Sequence, residues 1–284
     1  MLIGQFLKNI KTEYKNHYFS GLSFNSSKCK KNHIFFAIKG NIIDGNQFIN
    51  NAIKNGASII FSNSEFEGIK NNVLFLKNKN TRKLLSEFAY KINKKKPNNL
   101  IAVTGTNGKS SIADFYFQIL KLNKKKVAAI GTLGIKTNNS ITKALNTTMD
   151  PIELSKVLKD LKCKKINNVI LEASSHGLKQ NRLDGLSFKT GIFTNLSHDH
   201  LDYHKTLRDY FKAKLYLFEK LLMKKANIIT DSSIPQYKKI NKLALKNKFN
   251  LSTIANNRSN LNLISHEYYN DNQIVKIQFK KKNL

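Results

Sequence analysis

Leu100-Ile101-Ala102-Val103-Thr104-Gly105-Thr106-Asn107-Gly108-Lys109-Ser110-Ser111 is the stretch whose reading decides the fold. Its four leading apolar residues suit a buried central strand. Glycines then make a turn, and Ile112, Phe115, Ile119 and Leu122 follow at helical spacing, predicting a helix with those residues on its apolar side. A Gly-rich turn between strand and helix offers backbone N–H groups and a helix N-terminus to phosphate oxygens. Lys109 can reach the outer phosphates, and the Ser110 hydroxyl can bind Mg²⁺. The common pattern G-x-x-x-x-G-K-[ST] is incomplete, because Val103 stands five before Gly108 and only the shorter G-T-N-G-K-S remains. An ordinary glycine turn beside a surface lysine is the bland alternative; the strand and helix around it weigh against that.

The 284 residues suffice for one large domain or two ordinary ones, each with a core. Forty-nine Lys plus Arg against eighteen Asp plus Glu give a net charge of +31, which alone would suggest nucleic acid or an anionic surface. Yet lysine and asparagine are scattered throughout, without an Arg-rich or aromatic-interleaved patch. A compositional bias explains the charge more simply, and no specific nucleic-acid partner is expected. Cys29 and Cys163 are too few for a disulfide framework and wrongly spaced for a metal knuckle; they fit reduced thiols. No apolar run approaches the roughly 18 residues of a membrane span, and the N-terminus lacks the pattern of a signal peptide. The expectation is a cytoplasmic, monomeric protein without a membrane partner.

Residues 1–96 alternate short apolar runs with turns. Strands are predicted at 33–38, 57–61 and 72–76, with helices at 48–53 and 81–92. The charged, Pro-containing run 94–99 reads as a linker. From 97 to 284, strands at 100–103, 127–132, 169–172, 191–195, 226–230 and 273–279 alternate with helices at 110–122, 151–161 and about 207–224. This predicts an α/β protein: a small N-terminal α/β domain (1–96), then a P-loop-type central domain (97–284) with a mostly parallel sheet.

Ligands of open parallel sheets collect outside the C-terminal ends of the strands. Three strands end in unusual polar runs: Gly105 to Ser110, Glu172-Ala173-Ser174-Ser175-His176-Gly177, and Asn195-Leu196-Ser197-His198-Asp199-His200-Leu201-Asp202-Tyr203-His204. Their agreement points to chemistry rather than to capping. The last run matches five positions of the metallo-hydrolase pattern H-x-H-x-D-H, but Tyr203 holds the sixth and His204 comes one late, which removes the ligand spacing. On the helix after it, Lys214 falls within the apolar stripe Leu207, Phe211, Leu215, Phe218, Leu222. Such a lysine either snorkels to solvent or is desolvated beside the phosphate site with depressed basicity.

Together with Asn146-Thr147-Thr148, Gln180, Arg182 and Tyr210-Phe211-Lys212-Ala213-Lys214, these runs resemble the Mur ligases, in particular the members that add the third residue of the peptidoglycan stem peptide. The resemblance covers about residues 20–230 and accounts for the short loop, T-G-T-N-G-K-[ST] being that family's form. It implies that Gly105, Thr106, Asn107, Gly108, Lys109 and Ser110 hold ATP. It further implies Mg²⁺ at Ser110, Glu172 and His200, and a CO₂-carbamylated Lys214 supporting a second Mg²⁺. Asn146, Thr147, Thr148, Ser174, Gln180 and Arg182 would contact a UDP-muramoyl-dipeptide. Phe24-Asn25-Ser26-Ser27 stands where the family has L-D-S-R, and Asn41 lies in its uridine-side loop, so Phe24, Ser26 and Asn41 join the candidate set. Asn25 and Ser27 depart from the pattern. The implied reaction is ATP-dependent amide-bond formation through an acyl phosphate, with an amino acid, meso-diaminopimelate on family frequency, as second substrate. The family's C-terminal domain, with its D-N-P-R segment, has no counterpart here, so the expectation is a chain that lacks it and does not complete ligation unaided.

Overall fold

Two sheets, each with its own core, organise the chain in a computed structural model that describes residues 1–40, 43–255, 259–279 and 282–283. The chain is α/β and mostly parallel, and it divides into two compact units. The first unit comprises residues 1–95, 150–159 and 180–185. Its strands are β1 (Gly21–Ser23), β2 (His33–Phe36), β3 (Ala57–Ser62), β4 (Gly68–Lys70) and β5 (Val73–Lys77), in the order β1-β2-β3-β5-β4. Only the β4–β5 pair is antiparallel. Its helices include α1 (Ile49–Lys54), entered through the 3₁₀ turn Gly45–Phe48, and α2 (Thr81–Ile92). Asn80 starts α2 by accepting a 3.0 Å hydrogen bond from the Lys83 N–H, satisfying a donor that the first helical turn leaves free. The helix then sets Leu84, Leu85 and Phe88 into a core with Phe36 and Phe61. The Phe88 ring meets those two edge-on, with centroids 5.8 and 5.6 Å away, an arrangement the ring quadrupoles favour. The three-residue strands β1 and β4 carry too little alternation to be read from sequence.

The second unit comprises residues 96–149, 160–179 and 186–284. In chain order the elements from residue 99 are β6 (Asn99–Thr104), α3 (Lys109–Leu122), β7 (Val127–Gly131), β8 (Gly134–Thr137), β9 (Ile141–Thr142), α4 (Pro151–Cys163), β10 (Asn168–Glu172), α5 (Ser175–Lys179), β11 (Phe188–Phe193), α6 (Leu201–His204), α7 (Leu207–Tyr216), β12 (Leu222–Asp231), α8 (Tyr237–Lys246), β13 (Asn250–Ala255), β14 (Leu261–Tyr269), β15 (Asn272–Phe279) and β16 (Lys282–Asn283). Strand order is β16-β15-β14-β13-β12-β11-β6-β10-β7-β8-β9. The strands from β14 through β13, β12, β11, β6 and β10 to β7 are joined by parallel pairings, and antiparallel pairs extend both ends. The buried run Leu100 to Val103 lies in the middle, flanked by β10 and β11, as a strand covered on both faces requires. From β6 the chain departs toward β7, and from β11 toward β12. The connections therefore diverge between β6 and β11, the position beyond whose strand ends open parallel sheets bind ligands.

Two expectations are corrected. Helix α3 buries Ala113 and Phe117, with Ile112, Tyr116 and Leu120 against the same cluster, while Phe115, Ile119 and Leu122 are exposed. The helix is apolar around more than one side, so spacing alone could not choose the face; the small Ala113 permits close approach to the sheet. The helix predicted to about residue 224 ends at Tyr216, continues as a π-turn over Leu217–Leu221 and becomes a strand at Leu222. Pairing with β11 begins at Phe188 opposite Leu222, and sheet formation there overrides local helical preference. Cys29 and Cys163 are free thiols. No helix among the described residues is long and apolar enough to cross a membrane.

Candidate functional site

The loop from Gly105 to Gly108 connects β6 to α3 through two positive-φ glycines, at +149° and +81°. A Cβ at Gly105 would also overlap Thr194 Oγ1, so close approach and dihedral both demand glycine there. Gly108 is the N-cap of α3, which makes Lys109 and Ser110 its first two residues. The loop is tied to the end of β11. The Thr106 N–H donates to Asn195 O (3.0 Å), the Asn107 N–H to Asn195 Oδ1 (3.0 Å), and Thr194 Oγ1 donates to Asn107 O (2.6 Å). Lys109 Nζ folds over its own loop and donates to the carbonyls of Gly105 (3.1 Å) and Thr106 (2.7 Å). Partial burial lowers its pKa.

Glu172 ends β10, next to β6, and is 2% exposed. Its carboxylate is held on both oxygens. The Thr132 N–H donates to Oε1 at 2.9 Å, while Ser110 Oγ (2.9 Å) and Thr132 Oγ1 (3.3 Å) donate to Oε2. Gly131, just before Thr132, leaves the space that Glu172 fills; a Cβ there would overlap Oε1. One turn further, Thr148 Oγ1 donates to Glu172 O (2.8 Å) and accepts from Ser174 N (2.9 Å). Thr147, Thr148 and Ser174 thus gather around the end of β10, whereas Asn146 is exposed. Ser110 Oγ and the Glu172 carboxylate form an all-oxygen donor pair beside a phosphate-type loop. Mg²⁺ binds one or two carboxylates together with phosphate oxygens and water, so the pair fits that ion. Among the described residues no three His, Cys, Asp or Glu side chains form a metal-holding group.

Lys214 projects from α7, whose N-cap Thr206 accepts from Asp209 N at 3.0 Å. It is 1% exposed, and its Nζ donates to Gly105 O at 2.6 Å while lying 4.2 Å from the centroid of the Tyr210 ring. Burial foremost, then the charge of Lys109, brings its pKa down to about 7, against a smaller opposing pull from Asp199. Tyr210 is buried too, which raises its pKa, and its hydroxyl lies 3.3 Å from Thr106 Oγ1. His200, at a left-handed φ of 53°, pairs with Asp199 (Nε2–Oδ2 3.4 Å) and meets the rings of His176 and Tyr210 at 4.8 and 6.1 Å. Among the described residues its hydrogen-bond, ion-pair and ring contacts do not include Glu172 or Ser110.

Of the remaining candidates, Phe24 is 43% exposed, and Ser26 is buried and accepts from Asn51 Nδ2 at 3.0 Å. Arg182 donates to Gln180 Oε1 from Nε and Nη2, at 3.1 and 2.8 Å, within the first unit. Asn41 lies outside the described residues. Thr132, Thr194, Asn195 and Tyr210 make the contacts that shape the loop and Glu172; the sequence gives none of them a role, although Asn195 and Tyr210 open two of the quoted runs. Gly131-Thr132 at the end of an apolar strand was the available signal.

Fold and site define an α/β protein with a glycine-rich loop, leading into a helix N-terminus, where the connections of a mostly parallel sheet diverge. The description "Mur ligase middle domain" matches residues 103–284, and "Mur ligase family, catalytic domain" matches 18–91. The chain belongs to the Mur ligase family. It is 41% identical over 232 residues to the UDP-N-acetylmuramoyl-L-alanyl-D-glutamate--2,6-diaminopimelate ligase of Rickettsia prowazekii (strain Madrid E), covering 80% of this chain and 48% of that one. The enzyme of the same name from Wigglesworthia glossinidia brevipalpis is 40% identical over 234 residues, covering 79% and 47%. A solved diaminopimelate ligase structure superposes with a TM-score of 0.86 at 26% identity, over 100% of this chain and 58% of that one. A MurF ligase of Thermotoga maritima in complex with ADP shares the fold, with a TM-score of 0.58 at 17% identity over 93% and 56%. The chain spans about half the length of the curated relatives it matches.

Proposed function

We propose that this chain carries the ATP- and UDP-precursor-binding parts of a ligase that adds a third amino acid, meso-diaminopimelate, to UDP-N-acetylmuramoyl-L-alanyl-D-glutamate. The observation that carries the reading is the bond between Ser110 and Glu172 directly behind the Gly105–Gly108 loop, in a chain of this family. In this reading the loop N–H groups and the α3 N-terminus hold the ATP phosphates, and Lys109 leaves its loop carbonyls for the γ-phosphate. Mg²⁺ at Ser110, Glu172 and His200, with a carbamylated Lys214 supporting a second ion, would neutralise phosphate oxygens. Phe24, Ser26, Asn41, Asn146, Thr147, Thr148, Ser174, Gln180 and Arg182 are assigned to the precursor.

The chemistry follows from positioning. A carboxylate oxygen of the precursor attacks the γ-phosphorus and ADP leaves, giving an acyl phosphate. The amine of the amino acid attacks that carbonyl, loses a proton, and phosphate departs. A Lys214 pKa of about 7 leaves an appreciable neutral-amine fraction at neutral pH, able to form an N–C bond to CO₂ with one N–H proton released to solvent. The carbamate keeps one N–H for the Gly105 carbonyl and gains oxygens of the kind Mg²⁺ takes. Calorimetry with Mg-ATP and with the UDP-muramoyl-dipeptide tests the reading: both bind, and binding of neither overturns it. A second reading retains both ligands without turnover. Amino-acid-dependent phosphate release separates the two.

A further inference from the structure

The Glu172 carboxylate accepts hydrogen bonds from three donors, and two of them belong to Thr132. Thr132 is exposed and holds the carboxylate from both ends, through its N–H on Oε1 and its hydroxyl on Oε2. The direction of the remaining bond follows from proton count. A hydroxyl carries one proton, and that of Thr132 is spent on a carboxylate, which only accepts. In the 3.0 Å contact between Thr132 Oγ1 and Thr147 Oγ1, Thr147 is therefore the donor. The result is a directed chain, Thr147 O–H to Thr132 O–H to Glu172, that runs from the 146–148 loop to the carboxylate bonded to Ser110. The adjoining Thr148 fixes the same loop to Glu172 O, so the loop cannot drift without disturbing the strand end.

We propose that Thr132 is a positioning residue that fixes the Glu172 carboxylate for Mg²⁺ and couples it to Thr147, so that the 146–148 loop and the metal side of the nucleotide site respond to each other. This rests on the Mg-ATP reading above. Groups that orient a metal ligand change metal affinity by about 10–100-fold when removed. Thr132→Val keeps the shape and the backbone N–H but deletes the hydroxyl; Thr132→Ser keeps the hydroxyl.

The test is calorimetric titration of ATP into the full chain across a Mg²⁺ series and in EDTA. Thr132→Val is expected to raise the half-saturating Mg²⁺ concentration about tenfold or more, with ATP affinity in EDTA unchanged. Thr132→Ser stays within about twofold of the original chain. Thr147→Val gives a smaller rise, and adding it to Thr132→Val gives no further rise, because Thr147 acts through Thr132. An unchanged Mg²⁺ dependence in Thr132→Val, an equal loss in EDTA, or additive effects in the double variant overturns the proposal. Should Thr132→Val not fold, Thr147→Val decides alone, an unchanged Mg²⁺ dependence counting against the coupling. Failure of the unsubstituted chain to bind Mg-ATP overturns the underlying reading instead.

Discussion

Lys214 Nζ donates to the carbonyl oxygen of Gly105 at 2.6 Å, joining residues 109 positions apart in a place where the lysine is 1% exposed. A single carbonyl and the face of Tyr210 are poor exchange for the water an ammonium loses. The cost surfaces as the depressed pKa.

That cost has a sign that can be measured. With a folded pKa of about 7 against 10.5 ordinarily, the unfolded chain holds more protons between those values. Stability therefore rises with pH across that window, and below about 7 the folded protein bears the full penalty of a buried charge. Lys214→Met should be more stable than the original chain at about pH 6, with the gap closing toward about pH 10. Urea unfolding in CO₂-free buffer at both pH values checks this; a pH-independent gap would return the effect to packing.

Gly131→Ala should move Glu172, because the added Cβ occupies the position of Oε1. The expected outcome is a Mg²⁺ requirement for ATP binding raised by about tenfold or more, with the α/β circular-dichroism spectrum retained. An unaltered Mg²⁺ titration would mean that the carboxylate has another resting place.

Thr206 caps the helix that carries Tyr210 and Lys214, accepting from Asp209 N and donating to Asp209 Oδ2 at 2.7 Å. Thr206→Ala is expected to cost about 1 kcal/mol in denaturant unfolding. Loss of less than a few tenths of a kcal/mol would show that packing of α7 against its neighbours suffices.

His204 is 1% exposed, and neither ring nitrogen has a hydrogen-bond partner among the described residues. Burial first, then the charges of Lys179, His176, Lys214 and His200, bring its pKa down to about 4 from 6.5. The unfolded chain takes up the proton first as pH falls, so the stability that a neutral His204 secures is lost between about 6.5 and 4. Thermal unfolding should show that decline, and His204→Phe should flatten it. A decline of the same size in both proteins would assign it to other groups.

Some of the site was readable because its chemistry is local. The loop needs its glycines, lysine and serine in one run, and the polar strand ends were visible as carboxylate and histidine leaving apolar strands. Where a function depends on side chains from separate strands meeting, the pairing was not legible: Gly131-Thr132 stands out only as the end of an apolar strand, and nothing in it names Glu172, forty residues later, as what it closes on. The face of α3 was misread for a related reason, since a helix apolar on several sides is oriented only by the surface it meets.

By itself, then, the sequence determined the alternation of strand and helix, the mostly parallel sheet and the glycine-rich turn between β6 and α3, which follow from hydrophobic period and short-range spacing; the family likeness rested on its quoted residue runs. Tertiary structure alone decided three matters. It ended α7 early, because residues from Leu222 pair with β11. It closed Thr132 and Ser110 on Glu172, because β10 lies between β6 and β7. And for Lys214 it chose burial over solvent: spacing fixes which side of a helix a residue occupies, but only the packed neighbours decide whether water reaches its end.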